Sequence, residues 1–187
     1  LAHISLGIGE PKHATPQFIK DALIGSLDTA LSGYPATAGE LRMREACAQW
    51  LKRRYRIEIN AASQVLPVNG SREALFALAQ AVLDPTQKGA RVISPNPFYQ
   101  IYEGATLLSG AEPYYVANTA DNDFAADWDS VPEQVWASTQ LLFVCSPGNP
   151  TGKIMPLEEW KKLFELSEKY GFVIASDECY SEIYFRD

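Results

Sequence analysis

Short apolar runs alternate with helical patterns along the chain from residue 64 onward. Five of these runs predict β-strands: "QVLPV" (64–68), "RVIS" (91–94), "PYYV" (113–116), "QLLFVC" (140–145) and "FVIAS" (172–176). Three segments between them repeat apolar residues at helical spacing: 71–83, about 98–109 and 157–170. Strand–helix alternation favours a parallel sheet with helices on both faces. The pattern therefore predicts an α/β fold, a three-layer α/β/α arrangement around a mainly parallel sheet.

Two further helices are predicted ahead of this alternation. "QFIKDALIGSL" follows Thr15-Pro16 and predicts a helix from about 16 to 30, and "ELRMREACAQWLKRRY" predicts a second helix with a basic last turn. The acidic stretch "NTADNDFAADWDSVPEQVWAS" predicts an irregular surface crossover. We divide the chain into an N-terminal segment and helix, 1–35, and part of a larger domain, 36–187.

Composition and charge narrow the class of protein. The 187 residues, 47% of them hydrophobic, are enough for a globular domain with its own core. A net charge of −7 and the lack of long basic runs argue against a nucleic-acid partner. There is no 18-residue apolar run and no signal-peptide layout, so we expect a cytoplasmic protein without membrane contact. The chain begins without Met and stops without a closing helix, so we expect both ends to be cut.

Several familiar site motifs can be excluded. Three cysteines, Cys47, Cys145 and Cys179, show none of the spacings of zinc or redox sites, so we interpret them as buried, reduced thiols and expect no metal. "GNPTGKI" is not a Walker loop, because its glycines are one residue too close and Ile154 replaces the Ser or Thr that would hold magnesium. "GIGEPK" lacks the third glycine of a dinucleotide fingerprint.

The unusual loops all follow predicted strands. They are "NGSR" after 68, "PNPFY" after 94, "SPGNPTG" after 145 and "DECY" after 176. In an open parallel sheet, ligands bind beyond the carboxyl ends of the strands, where loops and helix N-termini converge. We therefore expect one ligand site at this edge of the sheet.

Two of these loops suggest charged contacts to a ligand. Gly70 permits a tight turn into a helix, so that the amides of Gly70, Ser71 and Arg72 would meet a phosphate; an ordinary Ser N-cap is the alternative. Asp177 leaves an apolar strand, where a carboxylate is costly unless it is paired. It would hold a cationic ring nitrogen, or it would cap a turn.

Aromatic and amide side chains complete the predicted set. Tyr99 follows a strand and would lie against a flat ligand, although packing is the alternative. Tyr180 comes three residues after Asp177, and Tyr34 lies in a Gly-Pro-rich loop without an obvious core role. Asn149 stands between Gly148 and Pro150, and this rigid loop would aim its amide at a ligand.

These motifs, in this order, resemble those of fold-type I, class I and II aminotransferases, which depend on pyridoxal phosphate. The resemblance runs through nearly the whole chain: "LGIGEP", "GYPATAGELRMREACAQWL", "NGSREALF", "SPNPFYQIYEGA", "SPGNPTGK" and "SDECY". The combination of "PGNPTG" with "SDECY" about 28 residues later is the most specific part. The fold implied is the large domain of the pyridoxal-phosphate-dependent transferases, with the C-terminal small domain absent from these residues.

The resemblance implies a role for each candidate residue. Asp177 would contact the pyridine nitrogen, Asn149 and Tyr180 the 3-oxygen, and Tyr99 the ring face. Gly70, Ser71 and Arg72 would hold the phosphate. Gly9 would line the substrate carboxylate site and Tyr34 would reach the phosphate of a partner subunit, which implies a homodimer.

The resemblance also implies what these residues lack. The Schiff-base lysine and the arginine for the substrate carboxylate are expected beyond residue 187, and Lys153 is not interpreted as that lysine, so the chain alone is expected to be inactive. Three stretches, beginning "ISLGIGEP", "NGSREALF" and "PNPFYQIY", resemble bacterial succinyldiaminopimelate aminotransferases of lysine biosynthesis. The implied substrates are N-succinyl-LL-2,6-diaminopimelate and 2-oxoglutarate or glutamate. Other class I/II aminotransferases of aspartate or aromatic type, a lyase or decarboxylase, and a non-catalytic sensor domain are the alternatives.

Overall fold

The structure, a computed structural model, describes residues 3–5, 7, 9 and 12–184. The chain divides into two compact units, Leu1–Pro67 and Val68–Asp187. The division proposed from the sequence, 1–35 and 36–187, stays a prediction.

The N-terminal unit contains two helices, α1 (Gln17–Ala30) and α2 (Leu41–Tyr55), so both predicted helices form. α2 ends in a basic turn that suits the negative end of its dipole, and Arg56 follows in the left-handed conformation. Arg44, on α2, donates from Nη1 to the carbonyl oxygens of Ala61 and Ala62, at 3.3 and 3.1 Å. These bonds connect α2 to the segment that leads out of the unit.

The C-terminal unit is a four-stranded sheet with connecting helices. Its elements, in chain order, are α3 (Ser71–Val82), β1 (Arg91–Asn96), α4 (Ile101–Leu108), β2 (Glu112–Ala117), α5 (Glu133–Trp136), β3 (Thr139–Cys145), α6 (Leu157–Tyr170) and β4 (Val173–Asp177). All three strand pairs are parallel, and the order is β2-β1-β3-β4. The predicted parallel α/β fold is confirmed.

This strand order fixes where a ligand can bind. The chain moves from β1 outward to β2 and then returns to the other side of β1 to form β3. Connections that leave neighbouring strands in opposite directions open a crevice at the carboxyl ends of those strands. The loops after β1 and β3 therefore border the expected ligand position, and β4 lies next to β3 with Asp177 as its last residue.

The core lies on both faces of the sheet. Adjacent residues of β3 point to opposite sides, so Leu141 and Phe143 pack with α3 and α4, while Leu142 and Val144 pack with α6. All four side chains are fully buried. A strand that is covered on both sides carries a continuous apolar run, as "LLFV" predicts.

One predicted strand is wrong. Residues 64–68 form no strand in the described structure, and Leu66 and Val68 are exposed. Pro67 has no backbone N–H to donate, and the segment pairs with no described strand. Its apolar residues therefore gave a strand-like pattern without the pairing that a strand requires.

The predicted surface crossover is also wrong in part. The segment between β2 and β3 contains two short 3-10 turns, Ala120–Asn122 and Trp128–Ser130, and the short helix α5. Trp128 and Trp136 from this segment are buried against the sheet, together with Val131 and Val135. Acidic residues on the exposed side hid this apolar contribution in the sequence pattern.

Among residues 3–5, 7, 9 and 12–184, no helix is long and apolar enough to span a bilayer. The same residues include no group of three His, Cys, Asp or Glu side chains arranged to hold a metal ion.

Candidate active site

Asp177 is a buried carboxylate at the carboxyl end of β4. The residue is 8% exposed, and both carboxylate oxygens accept hydrogen bonds. The Tyr102 hydroxyl donates to Oδ2 at 2.9 Å, and the backbone N–H of Cys179 donates to Oδ1 at 3.3 Å. The second bond is the turn cap that the sequence left as an alternative, so Asp177 both caps the turn after β4 and carries a buried charge. A carboxylate held by two donors keeps one orientation at the sheet edge.

The N-terminus of α3 lies beside this carboxylate. Ser71 Oγ is 3.5 Å from Cys179 Sγ, and Cys179 follows Asp177 by two residues. Gly70 precedes the helix with φ +101° and ψ 138°, a conformation that glycine adopts without strain. Ser71 is the first helical residue and not the N-cap, so the predicted alternative of a Ser N-cap is not formed. The first amides of a helix have no intrahelical partner and attract anions.

The loop after β3 is closed by its own hydrogen bonds. Gly148 N–H donates to the Lys153 carbonyl at 2.8 Å, and Gly152 N–H donates to the Gly148 carbonyl at 2.7 Å. Met155 N–H also donates to Ser146 Oγ at 3.0 Å, which joins the two ends of the loop. Asn149 sits at the tip, half-buried. The backbone thus holds Asn149 in place, as the prolines and glycines of the loop predicted.

An open cavity of about 730 Å³ brings Asn149 and Tyr180 together. Its wall is completed by Ile183 and Tyr184 and by five other residues of the loop region, Pro147, Gly148, Pro150, Gly152 and Ile154. Tyr180 is partly exposed and lies near Asp177 and Tyr99, which contribute to its electrostatic environment. Two residues predicted to act on the same ligand atom therefore line the same space.

Tyr99 lies in the loop between β1 and α4 and is half-buried. Its ring meets the Tyr102 ring edge to face, with centroids 6.0 Å apart and planes at 89°. The neighbouring Phe98 points elsewhere and stacks on Tyr115 at 5.1 Å. Tyr99 thus packs against another side chain, which was the alternative to a ligand contact in the sequence analysis. It also lies near Tyr180.

The protonation states at this site follow from burial and from Asp177. Burial raises the pKa of the Tyr102 phenol far above its ordinary value, and the Asp177 charge adds to the effect. The hydrogen bond to Asp177 is the main cause that raises the pKa of Cys179, while burial is the main cause for Cys145 and Tyr180. All four groups are protonated at neutral pH, so both phenols are hydrogen-bond donors.

The other predicted site residues are less constrained by the structure. Arg72 is exposed in the first turn of α3. Gly9 and Tyr34 belong to the N-terminal unit, where Tyr34 is fully exposed and a side chain at position 9 would meet nothing within 4 Å. Their roles stay predictions. Lys153 is paired with Asp123 at 2.5 Å.

Sequence reasoning missed two residues, Tyr102 and Cys179. Tyr102 touches Asp177 across 75 positions of the chain, and Cys179 joins β4 to α3 across 108. The spacing of Tyr99 and Tyr102 in "YQIY" was the available signal, because residues three apart share one side of a helical turn. Nothing in the sequence indicated which residue would face the end of β4.

The fold and the site define a class: a parallel α/β domain whose ligand edge joins helix N-terminal amides to a buried carboxylate. The whole chain then gives the family, since residues 2–187 match the family model for aminotransferase class I and II. The chain belongs to this family, and the predicted family is confirmed.

The sequences of known relatives align with nearly the whole length of this chain. The LL-diaminopimelate aminotransferase of Nitratidesulfovibrio vulgaris is 36% identical over 98% of the chain, and that of Aquifex aeolicus is 35% identical over 97%. An aminotransferase from Neisseria meningitidis with a known crystal structure is 55% identical in sequence over 98% of the chain, and the two structures superpose with a TM-score of 0.92. The chain covers 46–47% of these proteins, so it spans about half their length.

Pyridoxal phosphate is the cofactor of this family and fold. The residues present fit it. Asp177 is a buried carboxylate suited to a protonated ring nitrogen, and the start of α3 offers amides for a phosphate. Tyr99 offers an aromatic ring, and Asn149 and Tyr180 offer donors along one cavity.

Proposed function

We propose that the protein containing this chain is a pyridoxal-phosphate-dependent aminotransferase, which moves an amino group between an amino acid and a 2-oxo acid. The observation that carries the proposal is the buried Asp177 carboxylate, held beside the start of α3 by the contact between Cys179 and Ser71. Family membership supports the reaction class.

Each site residue has one task in this reaction. When bound, the cofactor supplies the electron sink for the reacting amino acid. Asp177 keeps a proton on the ring nitrogen through a charge-assisted hydrogen bond, which contributes about 1.5–3 kcal/mol. Asn149 and Tyr180 donate to the ring oxygen, and Tyr99 covers the ring face. The amides of Gly70, Ser71 and Arg72 hold the phosphate.

The proton-transferring lysine and the arginine for the substrate carboxylate are expected beyond residue 187. The pairing of Lys153 with Asp123 supports leaving Lys153 out of that role. Gly9 is proposed to line the carboxylate site, and Tyr34 to reach the phosphate of a second subunit in a cytoplasmic homodimer.

We propose N-succinyl-LL-2,6-diaminopimelate as the amino donor and 2-oxoglutarate as the acceptor, in lysine biosynthesis. The support is the resemblance of three stretches to the succinyldiaminopimelate subgroup. LL-diaminopimelate is the second candidate donor, because relatives named LL-diaminopimelate aminotransferase are 33–36% identical to the chain. The two donors share one carbon skeleton and differ in a succinyl group on one nitrogen.

Glutamate formation by the full natural protein tests both candidates. The purified protein with pyridoxal phosphate is given each donor with 2-oxoglutarate, and aspartate and an aromatic amino acid serve as comparison donors. We expect the largest kcat/KM with the succinylated donor. A larger value for the free donor would support the second candidate, and cofactor binding without transfer from any donor would support a sensor.

A further inference from the structure

Tyr102 connects the hydrophobic core to the candidate site. It lies in the first turn of α4, is 2% exposed, and reaches from there to the end of β4. Its hydroxyl donates to Asp177 Oδ2 at 2.9 Å. The family comparison and the predicted motifs assign it no role.

The hydroxyl of Tyr102 restricts the orientation of the carboxylate. Asp177 is buried and its bond to Tyr102 is a buried one, and a buried acceptor that loses its donor is strongly disfavoured. The titratable groups around Asp177 are Tyr102 from α4, Cys145 from β3, and Cys179 and Tyr180 from the turn after β4. The raised pKa values of these four groups keep them neutral, so within the described part of the chain hydrogen bonds, and not an ion pair, set the carboxylate plane.

The ring of Tyr102 restricts a second site residue. One face stacks on Phe143 of β3, with centroids 4.7 Å apart and planes at 7°. Phe143 is fully buried, so the Tyr102 ring has no freedom to tilt. Tyr99 packs edge to face against this fixed ring at 6.0 Å. Edge-to-face pairs are directional, so the Tyr99 ring takes its orientation from Tyr102.

We propose that Tyr102 is a shared positioning residue, which holds both the Asp177 carboxylate and the Tyr99 ring in the orientations that receive a flat, cationic heteroaromatic ring. The inference rests on the proposed function and extends it. The Tyr102 hydroxyl orients the carboxylate that would contact the ligand's ring nitrogen, and the Tyr102 ring orients Tyr99, which would stack on the ligand. Two substitutions of Tyr102 therefore separate the two tasks.

The first test uses the full natural protein without cofactor and its Tyr102→Phe variant. Dissociation constants are measured for pyridoxal phosphate and for its analogue with carbon in place of the ring nitrogen. Contacts to the phosphate and the ring oxygen are common to both ligands and cancel in the ratio. We expect Tyr102→Phe to reduce the preference for the nitrogen-containing ligand by about tenfold, the scale of one hydrogen bond to a charged group.

Tyr115→Phe is the matched control. The Tyr115 hydroxyl also donates to a carboxylate, Glu103, but on the exposed surface of the same unit. We expect the ratio to stay at its wild-type value in this variant. Equal weakening of both ligands by Tyr102→Phe leaves the ratio unchanged, would mean a purely structural role and would overturn the proposal. Dissociation constants that do not change at all would overturn it too.

Tyr102→Leu tests the ring. It removes the surface against which Tyr99 packs, so we expect the nitrogen-free analogue to bind more weakly than it does to Tyr102→Phe. Equal binding of that analogue by the two variants would refute the link to Tyr99. These ratios do not depend on amino transfer, so an inactive wild type with the expected ratios would reject the proposed function and leave the positioning role standing.

Discussion

At the scale of single residues, the candidate site depends on the cost of burying charge. A carboxylate at the end of an apolar strand is unfavourable unless donors compensate it, and Asp177 has two. Such an arrangement persists because the charge is used or because the turn needs its cap. The cap alone would require only the Cys179 amide, so the Tyr102 hydroxyl points to the first explanation.

Substituting Asp177 by Asn in the full natural protein should separate charge from shape. The Asn oxygen can accept from the Cys179 amide, and the Asn NH2 group can donate to the Tyr102 hydroxyl, which also accepts hydrogen bonds. Folding should therefore be retained, but the negative charge is lost. We expect turnover to fall by about 10²–10³-fold, the range for removing a preorganised electrostatic contact. Binding of inorganic phosphate to the cofactor-free protein should be unchanged, because the start of α3 is untouched.

Asp129→Asn is the control for this change, since Asp129 is exposed and pairs with Lys162 at the surface. It should leave turnover at the wild-type value. Near-normal turnover of Asp177→Asn in steady-state assays would remove Asp177 from the chemistry.

At the scale of elements, two glycines of the C-terminal unit illustrate opposite uses of the same residue. Gly70 at the start of α3 has φ +101°, and Gly104 lies inside α4 with ordinary helical geometry. A side chain at either position would meet nothing within 4 Å. Any difference between their alanine variants therefore comes from the backbone.

Gly70→Ala should destabilise the protein by about 1–3 kcal/mol, because alanine is strained in that conformation. Gly104→Ala should stabilise it by about 0.5–1 kcal/mol, because alanine is the better helix former. Denaturant unfolding measures both. Phosphate binding by the cofactor-free protein should weaken only in Gly70→Ala, since only this change shifts the amides of α3. A loss of stability at both positions would contradict the backbone explanation.

Much of the element layout could be predicted from the sequence. The runs "LLFV" and "FVIA" predicted covered strands, because a continuous apolar run suits a strand buried on both faces, and β3 and β4 form there. The strand predicted at 64–68 does not form, because a strand needs a pairing partner and the local apolar pattern does not show whether one exists. Trp128 and Trp136 were missed as core residues because acidic neighbours dominate their segment.

The candidate site was predictable where a motif is local and hidden where a contact is distant. Asp177 and Asn149 stand at strand ends that the pattern locates. Tyr102 depends on how α4 packs across β3 toward the end of β4, which is a property of the folded sheet.

At the scale of the whole molecule, the chain contains the proposed cofactor site but spans about half the length of its relatives. The 187 residues expressed alone and mixed with pyridoxal phosphate should show no amino transfer, because the expected lysine lies outside them. The full natural protein is the positive control, and its Lys153→Met variant should stay active. Measurable transfer by the isolated chain would show that a residue within it replaces that lysine.

The outer side of β4 has a consequence for handling this chain in isolation. β4 is the last strand in the order β2-β1-β3-β4, and its outward backbone groups meet no described strand. Unpaired backbone N–H and C=O groups along such an edge strand can pair with a strand of another chain. Light scattering over a dilution series should therefore show assemblies of the isolated chain that grow with concentration. A short peptide that pairs with the outer edge of β4 should dissociate them.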